Sequence, residues 1–277
     1  MPRVIWNLKG RLPYATPFAI YVSNSFVYKK MMLRSNSIRL AVCILHYGKN
    51  EMTKHLHTQL LANEPLQNGN VFVLDNASPE SYPNSWRRLP ENIFWAGAFA
   101  YALVVFHEAG YTHLWFCNND ISFVSAPPYI ERIKARLQWL EKQGRVGLYS
   151  PSVTSNPYHR QMICLPGGEC RKVRYVDGIA PVVSLACARE IGGLDFAGNP
   201  YGYGVDVFFS LCADAAGWGI WVDHSLVLRH KYHATASLQE GFLSESARAE
   251  EAYMTKRLGC DWRERLLAMQ AVQERIP

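Results

Sequence analysis

The sequence contains no apolar run long enough to span a bilayer. Its most apolar stretch near the start, Tyr14 to Val27, is broken by Pro17, Ser23 and Asn24, whereas a spanning helix needs about 20 consecutive apolar residues. No small-residue cleavage site follows a basic start, which argues against a secretory signal. Dense Lys/Arg blocks, zinc-ligand spacings and RNA-binding signatures are also missing, so nucleic acid is not an expected partner. The turn after the first apolar strand reads His46-Tyr47-Gly48-Lys49-Asn50, without the glycine-rich pattern that a nicotinamide-dependent dehydrogenase requires. A glycine-rich, basic triphosphate loop is absent as well, which disfavours a nucleotidyltransferase. Internal repeats and low-complexity tracts do not occur. Cysteines are few and odd in number: Cys43, Cys117, Cys164, Cys170, Cys187, Cys212 and Cys260. Wide spacing predicts reduced thiols in a cytoplasmic protein, and Cys164 and Cys170 lack a matching pair for a metal site.

What is present describes a globular chain with a sizeable core, since 49% of its 277 residues are hydrophobic and 19% charged. The net charge of +6 suits a surface that meets something anionic, such as a phosphorylated substrate or a lipid headgroup. The run RLAVCILHY, Arg39 to Tyr47, reads as a fully buried parallel strand. A helix is predicted over Glu51 to Leu61, a strand over Val71 to Leu74, a helix over Gly97 to Ala109 and a strand over Thr112 to Cys117. Pro127 and Pro128 open a helix from Tyr129 to Gln143, and Val146 to Tyr149 forms the next strand. A Gly- and Pro-rich middle leads to the apolar segment Gly178 to Cys187, and a helix spans Val207 to Ala216. Two strand-like segments, IWVD and LVLRH, end at His230, and a charged helical pattern follows from Leu238. This alternation predicts an α/β fold with a doubly wound, mostly parallel sheet. The expected organisation is an N-terminal appendage (1–37) able to touch a membrane surface, a main domain (38–236) and a C-terminal helical tail (237–277).

In such sheets, ligands bind at the carboxyl ends of the strands. His46, Tyr47 and Gly48 follow the first strand, Asp75, Asn76 and Ser78 the second, and Asn118, Asn119 and Asp120 the third. All three clusters are expected to face one crevice. A lone strand-end carboxylate commonly caps the next turn. A distant His converging on the same point would instead make a divalent-cation site, the kind that stabilises a departing diphosphate.

The series LAVCILHYG, VLDNAS, ENIFWAGAFAYAL, CNNDISF, DGIAPVVSLACAREIGGLD, YGYGVDVFF and LVLRH resembles the GT-A inverting glycosyltransferases of family 2, in particular the rhamnosyltransferase-like branch. The likeness runs from about Arg39 to His233 and rests on the order and spacing of the blocks. It implies a GT-A nucleotide-diphospho-sugar transferase fold and transfer from a nucleotide-sugar donor to a glycan or lipid-linked glycan acceptor, in surface polysaccharide biosynthesis. The implied donor and cofactor residues are His46, Tyr47, Asp75, Asn76, Asn92 and Asn119, with Asp75 on the base or ribose. Asp120 and His230 are the implied ligands of Mg²⁺ or Mn²⁺, and Asp206 the implied catalytic base. Asp177 and Tyr203 are expected at the acceptor. Tyr201, Trp95 and Trp218 are candidates for an aromatic platform, and Asp195 for organising its own turn. His233 is a weaker candidate ligand, and Lys49, Arg160, Arg171, Lys172 and Arg174 are candidate diphosphate contacts.

Three positions depart from the pattern. The acidic residue that usually precedes the base is Val205, a later carboxylate is Phe208, and the usual Gly-Asn-Asn reads Ala98-Phe99-Ala100. The last change predicts a donor pocket that has exchanged amides for an aromatic ring. Val205 also raises a second reading, a domain that binds nucleotide or glycan without turnover. Cytoplasmic localisation, peripheral at the inner face of the membrane, is the matching expectation.

Overall fold

The structure is a computed structural model that describes residues 37–232 and 240–275. Strand β1, Leu40–His46, is buried along its whole length. Helix α1, Asn50–Asn63, returns the chain to β2, Val71–Asp75, which lies parallel to β1. A two-residue edge strand, β3 (Arg87–Arg88), extends the parallel pairing beyond β2. Helix α2, Phe94–Glu108, leads to β4, His113–Asn118, on the other side of β1 and again parallel. Helices cover both faces of such a sheet, which is why its strands read as unbroken apolar runs rather than as alternations.

Helix α2 starts three residues earlier than its apolar pattern indicates, because side-chain amides set its first turn. Asn92 Oδ1 accepts from the Phe94 N–H at 2.8 Å, and Asn76 Oδ1 accepts from the Ile93 N–H at 3.0 Å. Phe94 is held there at φ +55°, an uncommon conformation for a residue with a side chain.

The short strand β5, Ile121–Phe123, follows β4, and helix α3 spans Ile130–Glu141. Glu64 caps α3 from a distance, its carboxylate accepting from the N–H groups of Tyr129 and Ile130. Strand β6 covers Val146–Val153, β7 Cys170–Val173 and β8 Val182–Ser184. Helices α4 (Leu185–Glu190) and α5 (Val205–Ala215) precede β9, Gly219–His230. The two segments expected before His230 are thus one strand. Its pairing with β6 skips from Asp223 opposite Pro151 to Val227 opposite Ser152, a bulge around Asp223-His224-Ser225. The Asp223 carboxylate in that interruption is satisfied, accepting from Tyr149 Oη at 2.8 Å, Arg136 Nε at 3.1 Å and the Ser225 N–H at 2.8 Å.

Helices α6 (Phe242–Leu258) and α7 (Trp262–Gln270) and strand β10 (Glu274–Arg275) complete the chain. Sheet order is β10-β7-β9-β6-β8-β4-β1-β2-β3, with β5 on β9. Pairing is parallel through β3-β2-β1-β4 and in β6-β9, and antiparallel around β8, β7 and β10. The C-terminal segment packs into the same compact unit that begins at Ile38. Tyr253 Oη donates to the Asp195 carbonyl at 2.6 Å, and Arg257 pairs with the Asp195 carboxylate at 2.6 Å. Asp195 also accepts from the Ala197 N–H at 3.2 Å, as a turn-organising residue does.

All seven cysteines are free. Among the described residues no helix is long and apolar enough to cross a membrane. The expected N-terminal appendage and His233 lie outside the described residues.

Candidate active site

At the carboxyl ends of β1 and β4 lies a cleft of about 270 Å³. Asp120 enters it directly after β4. The β5–β9 ladder places Ile121 opposite His230, so two residues far apart in sequence meet, with His230 Nε2 3.1 Å from Asp120 Oδ1. His230 Nδ1 is buried without a hydrogen-bond partner, and Asp120 Oδ1, equally buried, has the His230 imidazole beside it but no well-aligned donor. Orphaned buried polar atoms carry a desolvation cost unless something pairs with them. A carboxylate and an imidazole fit a divalent cation, and the imidazole suits Mn²⁺ better than Mg²⁺. Among the described residues no cluster of three or more metal-ligating side chains occurs. Such a cation would therefore draw its remaining ligands from a bound molecule and water.

Asp206 lies in the first turn of α5, where a carboxylate faces the positive end of the helix dipole. Its Oδ1 accepts from the Val207 N–H at 2.8 Å and its Oδ2 from the Gly178 N–H at 2.5 Å. Burial, and then the neighbouring Asp177 charge, push its pKa up to about 7. Asp177 is buried and its pKa is raised by that burial. Asn156 Nδ2 donates to Asp177 at 2.6 Å, and the Ile179 N–H donates at 3.3 Å. Val205 is fully buried in the core. Phe208 packs edge-on to Tyr253, with the Arg257 guanidinium 5.4 Å from its ring centre.

Trp95 joins these parts. Its indole N–H donates to Asn118 Oδ1 at 3.1 Å. A Cβ added to Gly178 would lie 2.7 Å from the Trp95 ring and 3.0 Å from Asp206 Oδ2. One added to Gly202, at φ +106°, would lie 2.6 Å from the same ring. Two glycines therefore let the indole sit flat against the backbone beside the Asp206 carboxylate. Gly202→Ala is expected to destabilise the fold by roughly 2–4 kcal/mol, combining left-handed strain with overpacking. A urea midpoint equal to wild type would contradict this packing.

Most of the anticipated residues line the cleft: Tyr47, Asn76, Asn92, Asn119, Asp120, Asp177, Tyr203, Asp206 and His230. Asn76 Nδ2 donates to Asn92 Oδ1 at 2.8 Å, and Asn119 Nδ2 to the Tyr47 carbonyl at 3.2 Å. His46 and Asp75 do not line it. His46 is fully buried, with Nδ1 2.6 Å from Thr53 Oγ1 and Nε2 2.7 Å from the Glu80 carbonyl. Asp75 accepts from the Ser78 N–H at 2.8 Å, the Tyr82 N–H at 3.1 Å and Arg88 at 2.6 Å. Both residues organise the loop after β2: Asp75 accepts from its backbone N–H groups, and His46 donates to its Glu80 carbonyl. Asp75→Ala should cost roughly 2–5 kcal/mol of stability by stranding those donors and Arg88. The check is denaturation; an unchanged midpoint with lost ligand binding would restore a direct ligand role.

Other expectations also change. Phe99 is buried among Trp95, Phe116 and Phe209 and does not enter the cleft. Trp218 lies elsewhere, under the Arg145 guanidinium at 3.7 Å. Arg171 pairs with Glu169 at 3.6 Å and Arg174 with Asp214 at 2.8 Å. Among the described residues the cleft is lined by no Lys or Arg and by three carboxylates, Asp120, Asp177 and Asp206. Sequence reasoning missed Phe94, Asn156, His159, Tyr232 and Phe242 as lining residues. Only Phe94, inside a motif block, carried a signal.

This sheet order, with its crevice at the strand ends, is the GT-A type fold of nucleotide-diphospho-sugar transferases. The structure superposes on GalNAc-T7, solved with UDP, GalNAc and Mn²⁺, with a TM-score of 0.59 and 12% identity, covering 84% of this chain and 55% of that one. The chain thus spans about half the length of that protein. In sequence it is 26% identical over 213 residues to uncharacterised proteins of Mycobacterium tuberculosis and Mycobacterium bovis, covering 74% of this chain and 78% of each relative. No protein-family model matches the sequence.

Proposed function

We propose that the protein is an inverting, metal-dependent hexosyltransferase that moves a sugar from a nucleoside-diphosphate donor onto a glycan hydroxyl, as in surface polysaccharide assembly. The observation that carries this reading is the convergence, in one cleft, of a half-buried carboxylate whose pKa is pushed up to about 7 and an Asp–His pair whose second imidazole nitrogen is buried without a partner. A general base works best when its pKa lies near the working pH.

Asp206 accepts the proton of the attacking acceptor hydroxyl. Its second oxygen, fixed by the Gly178 N–H, keeps the carboxylate from rotating away. Asp177 raises the basicity of Asp206 and, with Tyr203, adjoins the acceptor. Trp95 packs beside the carboxylate across Gly178 and Gly202. Asn76, Asn92 and Asn119 line the part of the cleft that takes the donor, with Tyr47 beside them. Asp120 and His230 would hold the divalent cation, which would supply positive charge to offset that of the departing diphosphate. Since the described lining offers no Lys or Arg, a cation held by this pair would be what meets donor charge there.

The test is incubation of the protein with Mn²⁺ and UDP-, GDP- or dTDP-sugars, with a panel of glycan acceptors, and detection of released nucleoside diphosphate. Metal-dependent release that requires acceptor supports transfer. Nucleotide binding without release under any acceptor would favour the second reading, for which the fully buried Val205 is the motivating feature.

A further inference from the structure

Beside Asp206 the cleft wall turns aromatic. Phe94 and Tyr201 meet edge to face with ring centres 5.0 Å apart, Tyr201 and Phe242 at 5.3 Å, and Phe94 and Phe242 lie nearly parallel at 6.4 Å. All three line the cleft. Phe94 is held at φ +55° by two asparagines: Asn92 accepts from its N–H, and Asn76 Nδ2 donates to its carbonyl at 3.2 Å. Strained, well-braced residues of this kind cluster where a ligand is gripped. Phe94 directly precedes Trp95, which touches both glycines beside Asp206, so the trio adjoins the base. Tyr232, by contrast, packs on His230 with ring centres 4.3 Å apart and belongs to the Asp–His end.

The carboxylates that line the cleft near its aromatic end, Asp177 and Asp206, meet no Lys or Arg among the described lining residues. Asp177 is buried there and Asp206 half-buried, and Tyr201 Oη donates to Glu245 at 3.2 Å. Arg248 acts on Tyr201 from the same helix, but no Arg or Lys is among the described residues lining the cleft. A chain with a net charge of +6 therefore presents a negative, aromatic surface to whatever approaches Asp206. Aromatic faces pack against the C–H faces of a sugar ring, while buried carboxylates repel a second anion in a water-poor site.

Resting on the transferase reading, we infer that the acceptor is an uncharged saccharide whose ring lies on Phe94, Tyr201 and Phe242, and that glycans bearing carboxylate, sulfate or phosphate near the accepting hydroxyl are rejected. The amide-lined part of the cleft takes the donor, and the aromatic part selects the acceptor by charge and by ring face.

The experiment is a glycan array probed with the full chain in Mn²⁺ and a saturating nucleoside diphosphate, followed by titration of each bound glycan on the variants Tyr201→Ala, Phe242→Ala and Tyr201→Phe. Expected are uncharged hits, affinity lowered tenfold or more in both alanine variants, and affinity retained in Tyr201→Phe, which keeps the ring. Hits that are predominantly acidic overturn the inference, as do an empty array and alanine variants that bind like wild type. The thermal shift produced by Mn²⁺ with nucleoside diphosphate is the folding control. Its absence in wild type would count against the transferase reading itself, a failure distinguishable from a failed acceptor assignment.

Discussion

Asp206→Asn is expected to lower transfer by roughly 10²–10⁴-fold, the usual contribution of a general base, while leaving donor binding in place. Stopped assays of kcat beside calorimetric nucleotide affinity separate the two effects. Loss of nucleotide affinity equal to the loss of rate would sink the base assignment and make Asp206 a structural carboxylate. Wild-type kcat/KM should rise with pH through about 7, where Asp206 ionises, and flatten above it. The same group also has a signature in stability. Its folded pKa is raised from an ordinary 3.8 to about 7, so between these values the folded state holds a proton that the unfolded chain has released. Folding stability must therefore fall as pH rises from about 4 to about 7, by at most about 4 kcal/mol from this residue. In Asp206→Asn that part of the slope disappears, and the part due to Asp177, of the same sign, remains. Absolute stability is a poor readout, because an asparagine amide facing the Val207 or Gly178 N–H costs roughly 1–3 kcal/mol of its own. The slope of urea midpoint against pH is the informative quantity.

The second large effect concerns the Asp–His pair. With Mn²⁺ and one nucleoside diphosphate at about 100 times its Kd, wild type should gain about 2.7 kcal/mol, a rise in Tm of roughly 5–10 °C for a domain of this size. Asp120→Ala and His230→Ala should each abolish the gain, and the double variant should add nothing further, since both side chains would act on one ion. Mn²⁺ should outperform Mg²⁺, because an imidazole ligand suits the softer ion. Persistence of the shift in both single variants would disprove the metal assignment. The basal Tm of the variants is a useful control: each substitution removes one partner of a close pair that includes a buried, unpartnered imidazole nitrogen, so no large collapse is expected in the absence of metal.

Much of this architecture was legible in the residue order. Continuous apolar runs such as Leu40–His46 have no polar face to solvate, so they must be covered on both sides, and that alone indicates a parallel sheet with helices around it. Polar residues that end such runs lie close to the crevice, which makes Tyr47, Asn76, Asn119 and Asp120 legible from position alone, although His46 and Asp75 turn away from it; His230 and Asp206 are legible through the resemblance. Short strands escaped detection, because β3, β5, β7 and β10 have two to four residues and too little length for a period of two to register. The polar interruption in β9 looked like a strand end, since its satisfaction by Tyr149 and Arg136 depends on residues far away in the chain.

By itself, then, the sequence determined the fold class and the strand-end and helix-end carboxylates, because burial and periodicity are local properties of the chain. Tertiary structure alone decided how those groups are used. It turned Asp75 inward to loop N–H donors and His46 to the Glu80 carbonyl, put Asp120 against His230 through the β5–β9 ladder, and gathered Phe94, Tyr201 and Phe242 into one wall. It also gave a basic chain an acidic cleft, because net charge sums over the whole surface, whereas a ligand meets only the few groups that folding brings within reach of it.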